Sequence, residues 1–194
     1  GVYRIFDYSG LLTDNGMTVG TIPAGTGTIQ TAMANLVNLV VDAGGPVPAV
    51  QFWNGTTMVA DGTIHGGNGI WSASPATNWT DVNGMVASPW AGTFAVFQNN
   101  PGNVTVDASA GVVSTTGMQF IGTGWAVAGA PITLSGSGGN TALRVGDGTL
   151  GGAAYSATIG AELTVNSRLV KDDLGTLILI GTNSYTGGTT IAAG

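Results

Sequence analysis

Short stretches of alternating apolar and polar residues recur through the second half of the chain. Four share the form apolar, polar, apolar, and they occupy residues 104–106 (VTV), 132–134 (ITL), 143–145 (LRV) and 163–165 (LTV). Successive side chains of a strand point to opposite faces of its sheet. Each triplet is therefore predicted to be a strand whose outer two residues face a core and whose middle residue faces water.

Glycine-rich turns separate these strands, for example at 136–140, 146–152 and 181–188. From residue 132 onward a strand arrives about every 10 to 20 residues, a spacing typical of an all-β sandwich or of a solenoid. The inward pairs are almost all aliphatic and the outward positions are largely Thr, Ser and Asn, which favours stacked coils. We therefore predict that residues 1–194 form one right-handed parallel β-helix segment of about eight coils, with a β-sandwich as the alternative.

Helical periodicity is weak along the chain. Residues 31–39 favour one or two helical turns, but β-branched residues and Asn dilute the pattern. The apolar run 36–41 has the length of a strand, and no apolar run is long enough to span a bilayer. The chain begins with Gly1 and stops within a repeat-like pattern, which indicates a piece of a longer protein.

The section 46–92 differs from the rest because it carries four tryptophans among Gly, Asn and Pro. We predict coils with longer loops here, or a small projection from the stack. The four residues are Trp53, Trp71, Trp79 and Trp90. Their rings either fill a core widened by the long loops or present faces that stack on sugar rings and anchor a protein ligand. The pattern leaves both interpretations open.

The charge composition excludes two classes of partner. Only 7% of the residues are charged, four of them are Lys or Arg, and the net charge is −6. Four scattered cations cannot form the basic patch that nucleic acid or an anionic membrane requires. The chain has no Cys, so it has no disulfide and no thiolate metal site. A cysteine-free, acidic chain rich in Thr, Asn and Gly fits a bacterial surface protein that crosses a periplasm.

Candidate chemistry is sparse. His65 is the single histidine, and no G-x-S-x-G motif accompanies it. The acidic residues are dispersed, and the adjacent pair Asp172 and Asp173 is predicted to lie in a solvated turn. The glycine cluster at 66–69 lacks the Asp of a calcium repeat, and no P-loop lysine follows any glycine cluster. We therefore predict no catalytic residue, no metal site and no cofactor.

The last 26 residues, LVKDDLGTLILIGTNSYTGGTTIAAG, contain a denser motif. They closely resemble the autotransporter-associated β-strand repeat, also called the passenger-associated transport repeat, of bacterial type V autotransporter passenger domains. The Trp-bearing stretch 69–81 is similar to segments between such repeats. The residues that carry the repeat motif are Gly175, Leu177, Leu179, Gly181, Asn183, Tyr185, Gly187 and Gly188.

The resemblance implies a fold, a location and a role. It implies a β-helical passenger segment at the bacterial cell surface, anchored in the parent protein by a C-terminal outer-membrane barrel. Such passengers serve adhesion, which implies a host cell-surface or extracellular-matrix protein or glycan, or another bacterium, as partner. Alternatives are a passive stalk with no ligand of its own and, less in keeping with the dispersed acids, a glycan-active enzyme. An uncapped solenoid also exposes coil edges that favour self-association.

One departure from the repeat concerns residues 177–180, which are all apolar where polar residues usually alternate. If Leu177 and Leu179 face the core, Ile178 and Ile180 face outward. We predict that these two isoleucines pack under a neighbouring loop or another contact.

Overall fold

The computed structural model describes residues 1–42, 49–164 and 166–194. The start of the section 46–92 and the last residue of the triplet 163–165 lie outside the described residues. Within them the chain is all-β, and its helical elements are two short 3-10 turns, Ser137–Gly139 and Leu150–Ala154. No described helix is long and apolar enough to cross a membrane.

The described strands are two to seven residues long. They are β1 (Val2–Asp7), β2 (Thr26–Gln30), β3 (Leu36–Asp42), β4 (Val50–Trp53), β5 (Gly69–Ser72), β6 (Trp79–Thr80), β7 (Ala87–Ser88), β8 (Phe94–Phe97), β9 (Asn103–Asp107), β10 (Val113–Thr115), β11 (Gly117–Phe120), β12 (Trp125–Gly129), β13 (Ile132–Leu134), β14 (Asn140–Val145), β15 (Ser156–Ile159), β16 (Leu163–Thr164), β17 (Arg168–Asp172), β18 (Thr176–Leu179) and β19 (Thr189–Ile191).

These strands form four sheets. The long sheet has the order β19-β17-β14-β11-β8-β4-β6-β7 and is parallel from β19 to β4. The five-stranded sheet has the order β18-β15-β12-β9-β5 and is parallel throughout. The short parallel sheet has the order β10-β13-β16. The N-terminal sheet, β1-β3-β2, is antiparallel.

The chain visits the three parallel sheets in a repeating order. β8, β11 and β14 lie in the long sheet, each is followed by a strand of the five-stranded sheet, and each of those by a strand of the short parallel sheet. A parallel β-helix follows this order, whereas the sheets of a β-sandwich are antiparallel. The all-β, parallel character predicted from the sequence is confirmed.

The register gives the length of each repeat. Phe94 pairs with Gly117, Gly117 with Ala142, Ala142 with Val170, and Val170 with Thr190. Successive turns of the chain are therefore about 20 to 28 residues apart, within the range of solenoid repeats. The long sheet has six parallel strands in the described residues, fewer than the eight coils expected, because the first 42 residues fold as an antiparallel sheet instead.

Inward-facing residues of the long sheet stack in columns. Phe97 and Phe120 are register partners, and their rings are stacked with centroids 4.9 Å apart. Two of the predicted triplets behave as expected: Ile132 and Leu134 are buried, as are Val104 and Val106. Like residues stacked on like residues bury a continuous apolar interior, because each coil covers the next.

The N-terminal sheet packs on the outer face of the long sheet. Val2 and Val40 form a second apolar cluster with Phe52 and Val96, whose side chains point away from the first core. This covering layer explains one wrong prediction: the middle residue of the triplet 143–145 is 6% exposed and does not face water. The helical turns favoured at 31–39 are also absent from the structure, since Leu36–Asp42 is strand β3.

Candidate functional site

The four tryptophans of the section 46–92 lie in the interior. Trp53, Trp71 and Trp79 are fully buried and Trp90 is 6% exposed. The rings contact one another, with centroids 5.1 Å apart for Trp53 and Trp79 and 4.3 Å apart for Trp79 and Trp90. Their ring faces are occupied by other aromatic rings, so the core-filling interpretation matches their placement. Stacking of a ligand on exposed indoles does not match it, because none of the four rings is exposed.

The same section extends the long sheet beyond its parallel part. β6 pairs antiparallel with β4, and β7 pairs antiparallel with β6, so these strands lie at the β4 end of the stack. Gln51 of β4 has its amide fully engaged below this hairpin: Nε2 donates to Ser88 and Pro89, and Oε1 accepts from Ala91 and Thr93. The tryptophans and this amide together close the first end of the parallel stack.

The repeat motif of residues 169–194 forms the other end of the stack. Leu177 and Leu179 pack against the main core, as predicted. Ile178 and Ile180 are 43% and 71% exposed, so the prediction that a loop covers them is wrong. They lie on the outer face of the five-stranded sheet, where Ile178 of β18 is the register partner of Thr158 of β15.

Polar motif residues hold the turns of this repeat. Asn183 Oδ1 accepts a hydrogen bond from Leu163 N at 2.9 Å, which joins two successive coils. Tyr185 packs against the core while its hydroxyl lies 2.7 Å from Thr189 Oγ1. A Cβ on Gly187 would lie 2.4 Å from backbone atoms of the preceding coil, so only glycine fits there. These residues act structurally in this arrangement.

Lys171 faces inward, as does its register partner Leu143, although the sequence alone indicated no more than a positive charge at this position. It is 6% exposed, and its Nζ donates to the carbonyl oxygens of Asp172, Asp173 and Ala193 at 3.0, 2.7 and 2.9 Å. Burial lowers the pKa of Lys171, and the charges of Asp173 and Asp172 oppose that shift. The side chain therefore joins the turn after β17 to the end of the following repeat.

Asp173 is buried, which contradicts the predicted solvated turn. Its Oδ2 accepts from Arg144 Nη2 and from Gly148 N, both at 3.0 Å, and its Oδ1 accepts from Leu174 N at 2.9 Å. The guanidinium of Arg144 also lies over the ring of Tyr3, 4.3 Å from its centroid. Asp172, in contrast, is half exposed, so only one member of the acidic pair is solvated.

A second polar cluster joins the N-terminal sheet to the turn after β14. Arg4 Nη2 pairs with Asp147 Oδ2 and donates to the Tyr155 hydroxyl at 2.9 Å, and that hydroxyl donates to Asp147 Oδ2 at 3.2 Å. Burial opposes the charge on Arg4, but Asp147 and Tyr155 raise its pKa. Burial and the Asp147 carboxylate raise the pKa of Tyr155. The sequence contains no local signal for this cluster, because Arg4 lies far from Asp147 and Tyr155 along the chain.

A cleft of 580 Å³ opens beside this cluster, between the N-terminal sheet and the long sheet. Its polar lining includes Arg4, Gln98, Asn99 and Tyr155. Gln98 is 1% exposed, and its Nε2 has no hydrogen-bond acceptor among the described residues. Proteins seldom leave a buried donor unpaired. We refer to this space as the sheet cleft.

The single histidine does not line the sheet cleft, although Gly62 and Thr63, which lie between it and Asp61 in the sequence, do. His65 Nε2 lies 2.8 Å from Asp61 Oδ2 on the surface, and this hydrogen bond lowers the pKa of Asp61. No group of three or more His, Cys, Asp or Glu side chains with a metal-binding arrangement occurs in residues 1–42, 49–164 and 166–194. The short glycine cluster at 66–69 instead provides a carbonyl at Gly67 that accepts from Trp53 Nε1 at 2.8 Å.

Comparisons with known proteins agree with the repeat. The sequence model of the passenger-associated-transport-repeat family matches residues 169–194. The chain is 45% identical over 202 aligned residues to the adhesin BmaC autotransporter of Brucella suis biovar 1 (strain 1330). That alignment covers 100% of this chain and 6% of the relative, so the chain spans a small part of the relative's length. No solved structure matches the chain.

The local repeat and the similarity along the entire chain point to the same family. The resemblance inferred from the motif is thereby confirmed. Both matches support an autotransporter passenger segment: residues 169–194 carry the passenger-associated transport repeat, and the whole chain is similar to part of an autotransporter adhesin, a class of protein displayed at the cell surface and anchored through the outer membrane.

Proposed function

We propose that this chain is a right-handed parallel β-helix segment that serves, without catalysis, as a rigid scaffold for adhesion to host cells, extracellular matrix or other bacteria. The observation that carries the proposal is the 45% identity along the whole chain to an autotransporter adhesin. The repeating visits to three parallel sheets and the aromatic column of Phe97 and Phe120 support the scaffold role. A stack of coils bonded to one another is stiff and holds its surface at a distance from the cell.

In the proposed mechanism the interior of the chain provides rigidity and its outer surface provides the ligand contact. The interior is closed at the β4 end by the tryptophan cluster, while the outer face of the long sheet carries the N-terminal sheet. An added layer of this kind makes surface features that a bare repeat lacks, so the segment is proposed to contact a ligand rather than only to space one.

An adhesion assay separates contact from spacing. Bacteria displaying the complete passenger would be compared with bacteria in which this segment is replaced by an equal number of coils from elsewhere in the passenger. The isolated chain would be added as a competitor. Ligand contact predicts lost adhesion after replacement and inhibition by the free chain. Unchanged adhesion with no competition would leave a passive stalk and overturn the proposal.

A further inference from the structure

A second pocket, of 450 Å³, lies beside the β6–β7 hairpin, where the long sheet ends. Its volume falls within the usual range of small-ligand sites. Its apolar lining comes from β4 and from the residues that flank β7: Val50, Val86, Pro89, Trp90 and Ala91. Val86 and Ala91 are exposed, so a ligand can approach this lining from outside. We refer to this space as the hairpin pocket.

The polar side chains that line the hairpin pocket bond to one another or to the backbone, apart from one oxygen. Gln51 uses both of its amide atoms, and Ser88 accepts one of the resulting hydrogen bonds. The Thr80 hydroxyl donates to Asp81 Oδ1 at 3.3 Å. Asp81 Oδ2, in contrast, accepts no hydrogen bond and joins no ion pair among the described residues. This carboxylate oxygen is therefore left for a ligand.

The other oxygen of Asp81 holds the side chain in place. Oδ1 accepts from Met85 N and Val86 N at 2.6 and 2.9 Å, which fixes the carboxylate on the turn before β7. Asp81 lines the pocket and is partly exposed, and its Oδ2 is not enclosed, so a ligand can reach that atom. A group that is already ordered loses little conformational entropy when a ligand binds. The hairpin pocket thus presents a fixed and accessible negative charge.

The charges around the hairpin pocket favour a positively charged ligand. None of the residues that line it is Lys, Arg or His, so nothing in the lining offsets the carboxylate of Asp81. The chain as a whole has a net charge of −6, which attracts cations and repels anions. The other walls of the pocket are largely apolar. A matching ligand therefore joins a positive group to an apolar body.

A lysine side chain has this form, because a compact ammonium ends a flexible apolar stem. Arginine matches less well. Its planar guanidinium pairs best with both oxygens of a carboxylate, and Oδ1 of Asp81 is already engaged by two backbone amides. We propose that the hairpin pocket binds a lysine side chain of a partner protein, with the ammonium on Asp81 Oδ2 and the stem against the apolar lining.

This inference deepens the proposed adhesion function by naming the chemistry of the partner, and it rests on that function for the claim that the lysine belongs to a protein met at the cell surface. Binding of a lysine probe by the purified chain and adhesion by the displayed passenger are separate measurements. Unchanged adhesion in a variant that has lost probe binding would overturn the adhesive role of the pocket and leave the proposed function standing. Absence of probe binding would overturn this inference alone.

The test is a titration of the 15N-labelled chain followed by NMR. The probe is Nα-acetyl-lysine amide, and the comparators are the corresponding amides of arginine, norleucine and Nε-acetyl-lysine. We expect saturable shifts of the Val86 and Ala91 amides with the lysine probe, and binding at least about fivefold weaker for each comparator. No saturable shift with the lysine probe, or equal affinity for the arginine or norleucine amide, would overturn the proposal.

Asp81→Asn removes the charge and keeps the turn. The amide oxygen of Asn still accepts from Met85 N and Val86 N, so the variant should keep the wild-type thermal stability. We expect it to weaken binding of the lysine probe roughly tenfold, because hydrogen bonds between ionised groups are the strong ones. Wild-type affinity in a folded Asp81→Asn variant would contradict the assignment.

The matched control removes the same charge elsewhere. Asp107 does not line the pocket, and its Oδ1 likewise accepts from a nearby backbone amide, Ser109 N, at 2.8 Å. Asp107→Asn should bind the lysine probe as the wild type does. An equal loss of affinity in both variants would assign the effect to the net charge of the chain and overturn the site.

A second pair of variants keeps the proposal testable if Asp81→Asn fails to fold. Ala91 lines the pocket and is exposed, and it bonds to Gln51 through its backbone N, so Ala91→Trp should fill the space from outside and keep that bond. Ala128→Trp, on the exposed outer face of the five-stranded sheet, adds the same ring elsewhere. Probe binding should be lost in the first variant and retained in the second. Equal binding by both would contradict the hairpin pocket as the site.

Discussion

Replacing the Asp173 carboxylate by an amide tests the contact between the N-terminal sheet and the long sheet. In Asp173→Asn the shape is kept, and Asn tolerates the positive φ of 65° at this position. Three donors converge on the carboxylate, from Arg144, Gly148 and Leu174. An amide must turn its NH2 group toward one of them, and it leaves the guanidinium of Arg144, only 7% exposed, without its buried counter-ion.

Breaking a buried ion pair on one side costs about 3–5 kcal/mol. Asp172 Oδ2, 3.9 Å from Arg144 Nε, retains part of the attraction, so we expect about 3 kcal/mol, at the low end of that range. With a urea m-value of about 2 kcal/mol/M, the midpoint should fall by about 1.5 M. Tryptophan fluorescence provides the signal, because the buried indoles become exposed on unfolding.

The matched control is the neighbouring carboxylate. Asp172→Asn changes a half-exposed side chain at a longer distance and should cost less than about 1 kcal/mol. In the double variant Arg144→Met/Asp173→Asn no charge is left unpaired, so most of the loss should be recovered. Equal midpoint shifts for the two single variants would refute the distinction between the buried and the solvated aspartate.

Three further perturbations address the two ends of the stack and the Tyr155 cluster. Trp79→Ala should lower the free energy of unfolding by about 3–5 kcal/mol because it opens a cavity in the tryptophan cluster, whereas Val112→Ala at an exposed site should change it by less than about 0.5 kcal/mol; both are measured by urea titration. Lys171→Met should cost about 1–3 kcal/mol and speed hydrogen exchange in β19, because three carbonyls lose their donor; unchanged exchange would argue against this role. The pKa of Tyr155 is raised above 10.0 in the folded chain, so its contribution to stability is present below pH 10.0 and is lost as the pH rises through the raised value. Tyr155→Phe should therefore flatten the alkaline limb of the curve of unfolding free energy against pH. An unaltered alkaline limb would contradict this assignment.

The repeating strands could be predicted from sequence because their signal is local. The triplet 132–134 alternates within three residues, and its buried and solvated faces follow from strand geometry alone. The repeat motif at 169–194 is equally local, since its turn residues act on neighbouring positions. Alternation and turn chemistry therefore predicted the all-β class and the inward leucines.

The predictions that were wrong or left open concern contacts between residues far apart in the sequence. The burial of Arg144 requires Tyr3, which lies 141 positions earlier in the sequence and reaches it only because the N-terminal sheet folds back. Asp173 is buried for the same reason as Arg144, its partner. Each tryptophan taken alone is compatible with a core or with a ligand site. The packing of the Trp79 ring against the other three tryptophans favours the core, and this packing is visible only in the folded chain.

The central claim is that parallel strands from successive turns of the chain stack in the stated register. Thr133 and Thr164 are register partners in the short parallel sheet, with hydroxyl oxygens 3.4 Å apart. Because the chain has no native cysteine, the pair Thr133→Cys/Thr164→Cys can be oxidised and followed by gel mobility. The account predicts an intramolecular disulfide in this variant and none in Thr105→Cys/Thr164→Cys, whose positions lie on different sheets. A disulfide in the second pair and not in the first would contradict the stacked arrangement.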